Sequence, residues 1–402
     1  WDSNIPNNFN AMLSITMLAP ICSIVSGMPL TWVFKIVYPL LFSMVPVVLY
    51  NIYKKQTDGK TAFLAVFFFV SVITFFTEMI SLARQQIAEI FLVLLILSVV
   101  STSVNARKKT ILLLIFGSAL VWSHYALTYI FMWSVIVAFF LLLVLQKMGI
   151  HRFLTARFRF RRTRVLLARK NRIITVPFIL FFSISAISWY FYVSESATLN
   201  ILIRTTVRIV EGIFTAFLNP EAVQGLNIIV SEHAPLIEIT KMFHILMQSF
   251  ITVGVLLFLL GRSKQQFDIE YASVSLISFV LCILAITVPY LASSINTTRL
   301  YHITLIFLAP FCVIGAMAIF GLLSKVLRSI FKVKKVMSKQ KSTKCLSIVL
   351  SLFLIFNTGF IGEITKSSPS ILLSQNWIIN HGDAMDKVRF YNAFTPIEEV
   401  FS

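Results

Sequence analysis

The stretch 111–146, "ILLLIFGSALVWSHYALTYIFMWSVIVAFFLLLVLQ", holds no Lys, Arg, Asp or Glu. Its one interruption is the polar turn around His124, and that turn divides it into two apolar runs, 110–124 and 127–146. Basic residues stand immediately outside both, "NARKK" before and a long arginine-rich loop after. About 20 apolar residues of helix cross the hydrocarbon of a bilayer, so the pattern reads as a transmembrane hairpin with its basic ends on one side.

The same unit repeats along the chain. Apolar runs are predicted as spans at 34–50, 61–78, 87–104, 110–124, 127–146, 173–193, 242–260, 271–291, 303–324 and 346–362. The predicted fold class is therefore an all-α polytopic integral membrane protein of about ten transmembrane helices, with interfacial amphipathic helices besides. Composition agrees: 58% of the 402 residues are hydrophobic and only 13% charged, against roughly a quarter in a soluble domain. The opening on Trp1 rather than methionine is read as the later part of a longer protein.

The net charge of +19 raises a nucleic-acid partner, and the location of the charge removes it. Basic residues crowd into "YKKQTDGK", "NARKK", 147–172, "GRSKQQ" and "KVLRSIFKVKKVMSKQKSTK", at every second junction between spans. These loops carry 26 of the 35 Lys and Arg and only three acids, Asp58, Asp268 and Glu270. Such a bias marks the cytoplasmic side of a plasma-membrane protein, and ten spans then leave both ends of the chain outside. Cys22, Cys282, Cys312 and Cys345 have no metal-ligand spacing and read as small buried hydrophobes.

Three external regions are longer than turns. Residues 1–33 combine a polar opening with an apolar run broken by Pro20, Gly27 and Pro29, which suits an interfacial or re-entrant helix. The transmembrane domain, 34–362, contains an external segment 194–240 in which Arg204, Arg208 and Glu211 recur at helical spacing among apolar residues, the pattern of a surface amphipathic helix. The tail 363–402 is polar and external.

Polar groups at the ends of spans are functional candidates, because lipid penalises them unless they are used. Asp2 stands among Asn4, Asn7, Asn8 and Asn10, a setting for a general base, a metal ligand or a turn-rich loop. In "TEMISLARQQIAEIF", Glu78 closes one span, Arg84 and Gln85 form the turn, and Glu89 lies four residues after Gln85 on the same face. Arg84 can pair with a glutamate or face an anion whose geometry its guanidinium matches. His124 beside Tyr125 offers a donor or base at the surface, or belongs to the ordinary aromatic belt. Arg299 and His302, three apart, suit a phosphate at head-group level, or are a snorkelling arginine and a capping histidine. "NTT" at 296–298 fits an N-glycosylation acceptor. No GxSxG, P-loop, CxxC or HExxH occurs.

The stretches "WDSNIPNNFNAMLSI", "KIVYPLLFSMVPVVLYNIYKK", "EMISLARQQIAEIF", "SHYALTYIF" and "TRLYHITLIFLAPF" resemble an uncharacterised archaeal family of multi-spanning membrane proteins. That family resembles in turn the GT-C superfamily, membrane-embedded glycosyltransferases that use polyprenyl-phosphate sugars. The resemblance implies a lipid-linked sugar as partner, a donor phosphate held by basic residues at the external surface, and an acidic base that deprotonates the acceptor hydroxyl. It also implies a divalent metal in some members. Carried onto this chain, it makes Asp2 and Glu78 the candidate catalytic carboxylates, with Asp2 also a candidate metal ligand. Arg84, Arg299 and His302 become the donor-phosphate contacts, with Gln85, Glu89, His124 and Tyr125 as further substrate-binding candidates. No DxD or ExD pair is present, a departure from the superfamily pattern. The competing expectations are a transporter or flippase of a lipid-linked or anionic substrate, and a non-catalytic membrane assembly protein.

Overall fold

A computed structural model of the chain describes residues 9–147, 174–194, 197–216, 235–263, 265–291, 296–331 and 338–365, with positions 219, 222–223, 226–227 and 230. Asp2, the basic loop 148–173 and the tail beyond 365 lie outside the described residues.

Each stretch read as a span is helical. The helices are α1 (Leu13–Ser26), α2 (Leu30–Gln56), α3 (Gly59–Ser71), α4 (Ala83–Val100), α5 (Ala106–Ser123) and α6 (Tyr125–Lys147). They continue as α7 (Val176–Tyr192), α8 (Ala197–Thr215), α9 (Pro235–Leu259), α10 (Ile269–Thr287), α11 (Thr297–Phe331) and α12 (Lys339–Asn357). Among the described residues six of them, α2, α4, α6, α9, α10 and α11, are long and apolar enough to cross a membrane. The expected ten are thus six by this measure, and the other four differ for visible reasons. Helix α3 stops after 13 residues, where Val72 turns extended, and α7 has 17. Helices α5 and α12 spend their first turns on Arg107, Lys108 and Lys109, and on Lys339, Lys341 and Lys344.

Helix α1, with its exposed Met17, Ile21, Ile24 and Val25, ends at Gly27 in the left-handed region (φ 68°) ahead of Pro29. At 1.5 Å per residue it reaches about 21 Å, short of a ~30 Å hydrocarbon core. Helix α8 turns Ile201, Ile203, Val207, Val210 and Phe214 outward, and Arg208 lies over the Tyr290 ring at 4.3 Å.

Helix α11 is the axis of the bundle, packed against α9, α10, α3 and α12. Its closest crossing is with α9. A Cβ at Gly254 would run into the Phe311 carbonyl oxygen, and one at Gly315 into that of Phe250. Without side chains at those points the two backbones touch, the arrangement by which membrane helices gain dispersion contact. Pro310 interrupts α11's hydrogen-bond ladder, because it has no N–H for the Ile306 carbonyl. The buried Tyr53 hydroxyl of α2 supplies the missing donor, 3.0 Å from Ile306 O and 3.2 Å from Leu305 O. Tyr271 of α10 donates to Phe307 O at 2.9 Å.

Side-chain contacts sort the helix termini to two ends. At one, Gln56 Oε1 accepts from Asp268 N (2.7 Å), Gln265 donates to Asp58 (3.3 Å), Glu270 accepts from Ile174 N (2.7 Å) and Lys339 lies 3.6 Å from Asp58. The three acids of the basic loops thus have structural work. Asp58 and Asp268 cap α3 and α10, as Asn105 and Ser338 cap α5 and α12. The opposite end is closed by a different set of bonds: Ser14 Oγ to Ser123 O (2.8 Å), Trp189 Nε1 to Ala11 O (2.8 Å), and Tyr38 to Ser14 O. There too Asn357 donates to Ser71 O at 3.0 Å, where α3 breaks, and meets His244 Nε2 at 3.1 Å.

Two substitutions test this packing by thermal unfolding of the protein in detergent. Tyr53→Phe leaves the Ile306 carbonyl buried without a donor and is expected to cost about 1–3 kcal/mol. Gly254→Val forces α9 away from α11 and is expected to cost at least that much. An unchanged midpoint for either would contradict the corresponding contact.

Candidate functional site at one end of the bundle

The second end gathers most of the polar residues that the sequence singles out. Helix α4 begins just after the short helix Glu78–Ser81, and Gln86, fully buried on α4, holds the two together. Its Nε2 donates to the carbonyls of Met79 (2.6 Å) and Ile80 (3.0 Å). Gln86 was not among the expected residues, although it lies two helical turns from Met79 and within reach of that chain break. The backbone of Glu78 opens the short helix, and its side chain lies outside the described set.

One turn apart on α4, Gln85 and Glu89 face inward. Gln85 Nε2 donates to Glu89 Oε1 at 3.1 Å, and Glu89 Oε2 lies 3.1 Å from His302 Nε2 of α11. Glu89 and His302 are both 0% exposed. The imidazole rests against the rings of Phe69 (4.7 Å) and Phe75 (6.3 Å). A carboxylate in lipid must find a partner, and Glu89 has found two.

Arg84, at the start of α4, turns the other way. Its guanidinium lies over the Phe9 ring at 4.7 Å, and its Nε is buried without a hydrogen-bond partner. Tyr125 and Arg299 stand at the same end of the bundle.

His124 fills the turn between α5 and α6 and stacks on Tyr125, with ring centroids 5.4 Å apart and planes at 8°. The Leu127 N–H donates to His124 Nδ1 at 3.1 Å, so the ring caps α6 and leaves Nε2 as its donor. Protonation of Nδ1 would break the cap. Burial first, then the charges of Arg84 and Arg299, push its pKa from 6.5 down to about 3. His124 is thus a neutral hydrogen-bond donor at physiological pH rather than a general acid.

The fold therefore brings Arg84, Gln85, Glu89, His124, Tyr125, Arg299 and His302 to one end of the bundle. Asp2 falls outside the described residues, and with it the proposed metal ligand. Among the described residues no three His, Cys, Asp or Glu side chains gather to hold a metal ion. Asn296 accepts from Thr298 N (3.1 Å) and Thr298 Oγ1 (2.7 Å), so the "NTT" tripeptide serves α11 as a helix cap.

The depressed His124 pKa has a stability consequence. The unfolded chain takes up a proton at this residue below about pH 6.5, and the folded protein refuses it until about pH 3. Stability contributed here is present above pH 6.5 and is lost as pH falls towards 3. His124→Asn keeps an acceptor for the Leu127 N–H and is expected to show a shallower fall of melting temperature between pH 7 and 4. Equal slopes in the two proteins would remove His124 from the account.

Residues 108–400 match a family model described as "Predicted membrane protein (DUF2206)". The matched stretch contains His124, Tyr125, Arg299 and His302, whereas Arg84, Gln85 and Glu89 precede it. No curated protein and no solved structure matches the chain. With a multi-helix membrane architecture and a match over most of its length, the chain belongs to the DUF2206 family of predicted membrane proteins.

Proposed function

We propose that the protein is a membrane-embedded glycosyltransferase of GT-C-like architecture, working on the external face of an archaeal plasma membrane with a polyprenyl-phosphate-linked sugar as donor. In this reading all ten helices named as spans cross the bilayer and the basic loops are cytoplasmic. The end bearing Arg84 and Arg299 then faces outward. The observation that carries the reading is Arg84, whose Nε is buried without a hydrogen-bond partner, at the end of the bundle that also holds Arg299 and neutral His124. That cluster has the charge, the donors and the depth for a phosphate at head-group level.

The chemistry is a displacement at the anomeric carbon. Arg84 and Arg299 hold the donor phosphate, and His124 Nε2–H donates to one of its oxygens. A carboxylate, Asp2 or Glu78, takes the proton of the acceptor hydroxyl. The new oxygen–carbon bond forms as the bond from carbon to phosphate oxygen breaks, and the electron pair leaves on the polyprenyl phosphate. Charge developing on that leaving oxygen is what the two guanidiniums stabilise.

A second reading, transport of a lipid-linked or anionic substrate, draws on the fully buried Glu89–His302 pair and on the π-helical turn Val33–Val37 in α2.

The test uses the full-length protein in liposomes with lipid-linked sugars extracted from membranes. Sugar transfer is expected, falling on the order of a hundredfold in Arg84→Ala. Either Asp2→Asn or Glu78→Gln should abolish it. Transfer unaffected in both carboxylate variants would remove these residues from the mechanism. Movement of the lipid-linked sugar across the bilayer without transfer would replace the glycosyltransferase by the transporter.

A further inference from the structure

We infer that Glu89 and His302 are positioning residues rather than ligand contacts: their bridge fixes the register of α4 against α11, and so sets Arg84 beside Arg299. The inference rests on the phosphate reading of the two arginines for its functional meaning, and on geometry alone for the register.

Neither Glu89 nor His302 offers a ligand an approach. Both are 0% exposed, and both Glu89 oxygens are occupied, one by Gln85 Nε2 and the other by His302 Nε2. The remaining face of the imidazole is covered by Phe69 and Phe75. A buried pair of this kind contributes little net stability, because desolvation offsets its attraction; setting register is its best-attested use.

Direct packing between α4 and α11 is slight. The main neighbours of α11 are α9, α10, α3 and α12, and those of α4 are α5 and α2. The Glu89–His302 bridge therefore spans two helices that are not principal packing partners. Arg84 lies five residues before Glu89 and Arg299 three before His302, so both guanidiniums hang from the same end of the bridged pair. A slip of one residue along either helix moves its arginine by about 1.5 Å and turns it by about 100°. Either change would separate two groups that must meet on one anion.

The test compares three forms of the full-length protein: the native pair, Glu89→Leu/His302→Leu, and Glu89→Gln/His302→Gln. The leucine pair fills the site without a bridge, and the glutamine pair keeps a hydrogen bond across it. Each form is made with Arg84→Cys/Arg299→Cys, in a background where Cys22, Cys282, Cys312 and Cys345 are replaced by alanine, and treated with a short bis-maleimide. Cross-linking between 84 and 299 is expected in the native and glutamine forms and at background level in the leucine form. Equal yields in all three would overturn the inference. Glu89→Gln/His302→Phe removes the bridge in a second way and gives the same comparison if the leucine pair does not fold.

With both arginines retained, polyprenyl phosphate in detergent is the binding probe. Its Kd is expected to rise on the order of tenfold or more in the leucine form and to recover in the glutamine form, at unchanged melting temperature. A loss that tracks melting temperature instead would make the pair merely structural. Bridge-dependent cross-linking in a protein that binds no polyprenyl phosphate would keep the register and discard the phosphate reading of Arg84 and Arg299.

Discussion

Helix α11 can stand in the middle of this bundle because the carbonyl that Pro310 strands at Ile306 is bonded by Tyr53, with Tyr271 serving Phe307 beside it. In a bilayer no water can do this, so each freed carbonyl must be satisfied from a neighbouring helix. That requirement ties α2 and α10 to α11 at the proline, while Gly254 and Gly315 bring α9 into backbone contact a turn further on. With α11 held on these sides, its first turns carry Arg299 and His302 up to α4, where the Glu89–His302 bridge meets them. The site end of the bundle depends on a repair made near its middle.

The two ends handle polar groups in opposite ways. At the basic end each acid has a backbone N–H to serve: Asp58 caps α3, Asp268 caps α10, and Glu270 takes Ile174 N. Lysines and arginines of these loops outnumber the acids in the sequence, as a topology determinant requires. At the other end Glu89 is withdrawn into the bundle and bonded twice, Glu238 pairs with Lys241 at 2.8 Å, and Arg84 lies over an aromatic ring.

Much of this was legible in the sequence, and the residues show why. Apolar runs located the helices, since period and length need no tertiary information. Gln85 and Glu89 were legible as a pair, because i,i+4 spacing sets them on one face. That Glu89 would choose His302 over Arg84 was not: Arg84 is on the same helix but off the face of Glu89, and His302 is 213 residues away in the chain, brought in with its ring against Phe69 and Phe75. His124 stood out as a titratable group at a membrane surface, but its use of Nδ1 as a helix cap depends on the backbone turn. Phe9, Gln86 and Asn357 escaped notice because their types are unremarkable. Their importance comes from what they meet: Arg84, the carbonyls of Met79 and Ile80, and the break after Ser71.

The aromatic ring over Arg84 bears on how an anion would be received. A cation over a phenyl face is stabilised by about 0.5–1 kcal/mol at an exposed site, far less than a charge-assisted bond to phosphate. Phe9, 46% exposed, is therefore a weak placeholder that an arriving anion can displace without loss. Its segment is not free to leave, because Ala11 is bonded to Trp189 and Ser14 to Ser123 and Tyr38. The opening of the chain is thus anchored two residues beyond the ring, so Phe9 can yield while α1 stays in place.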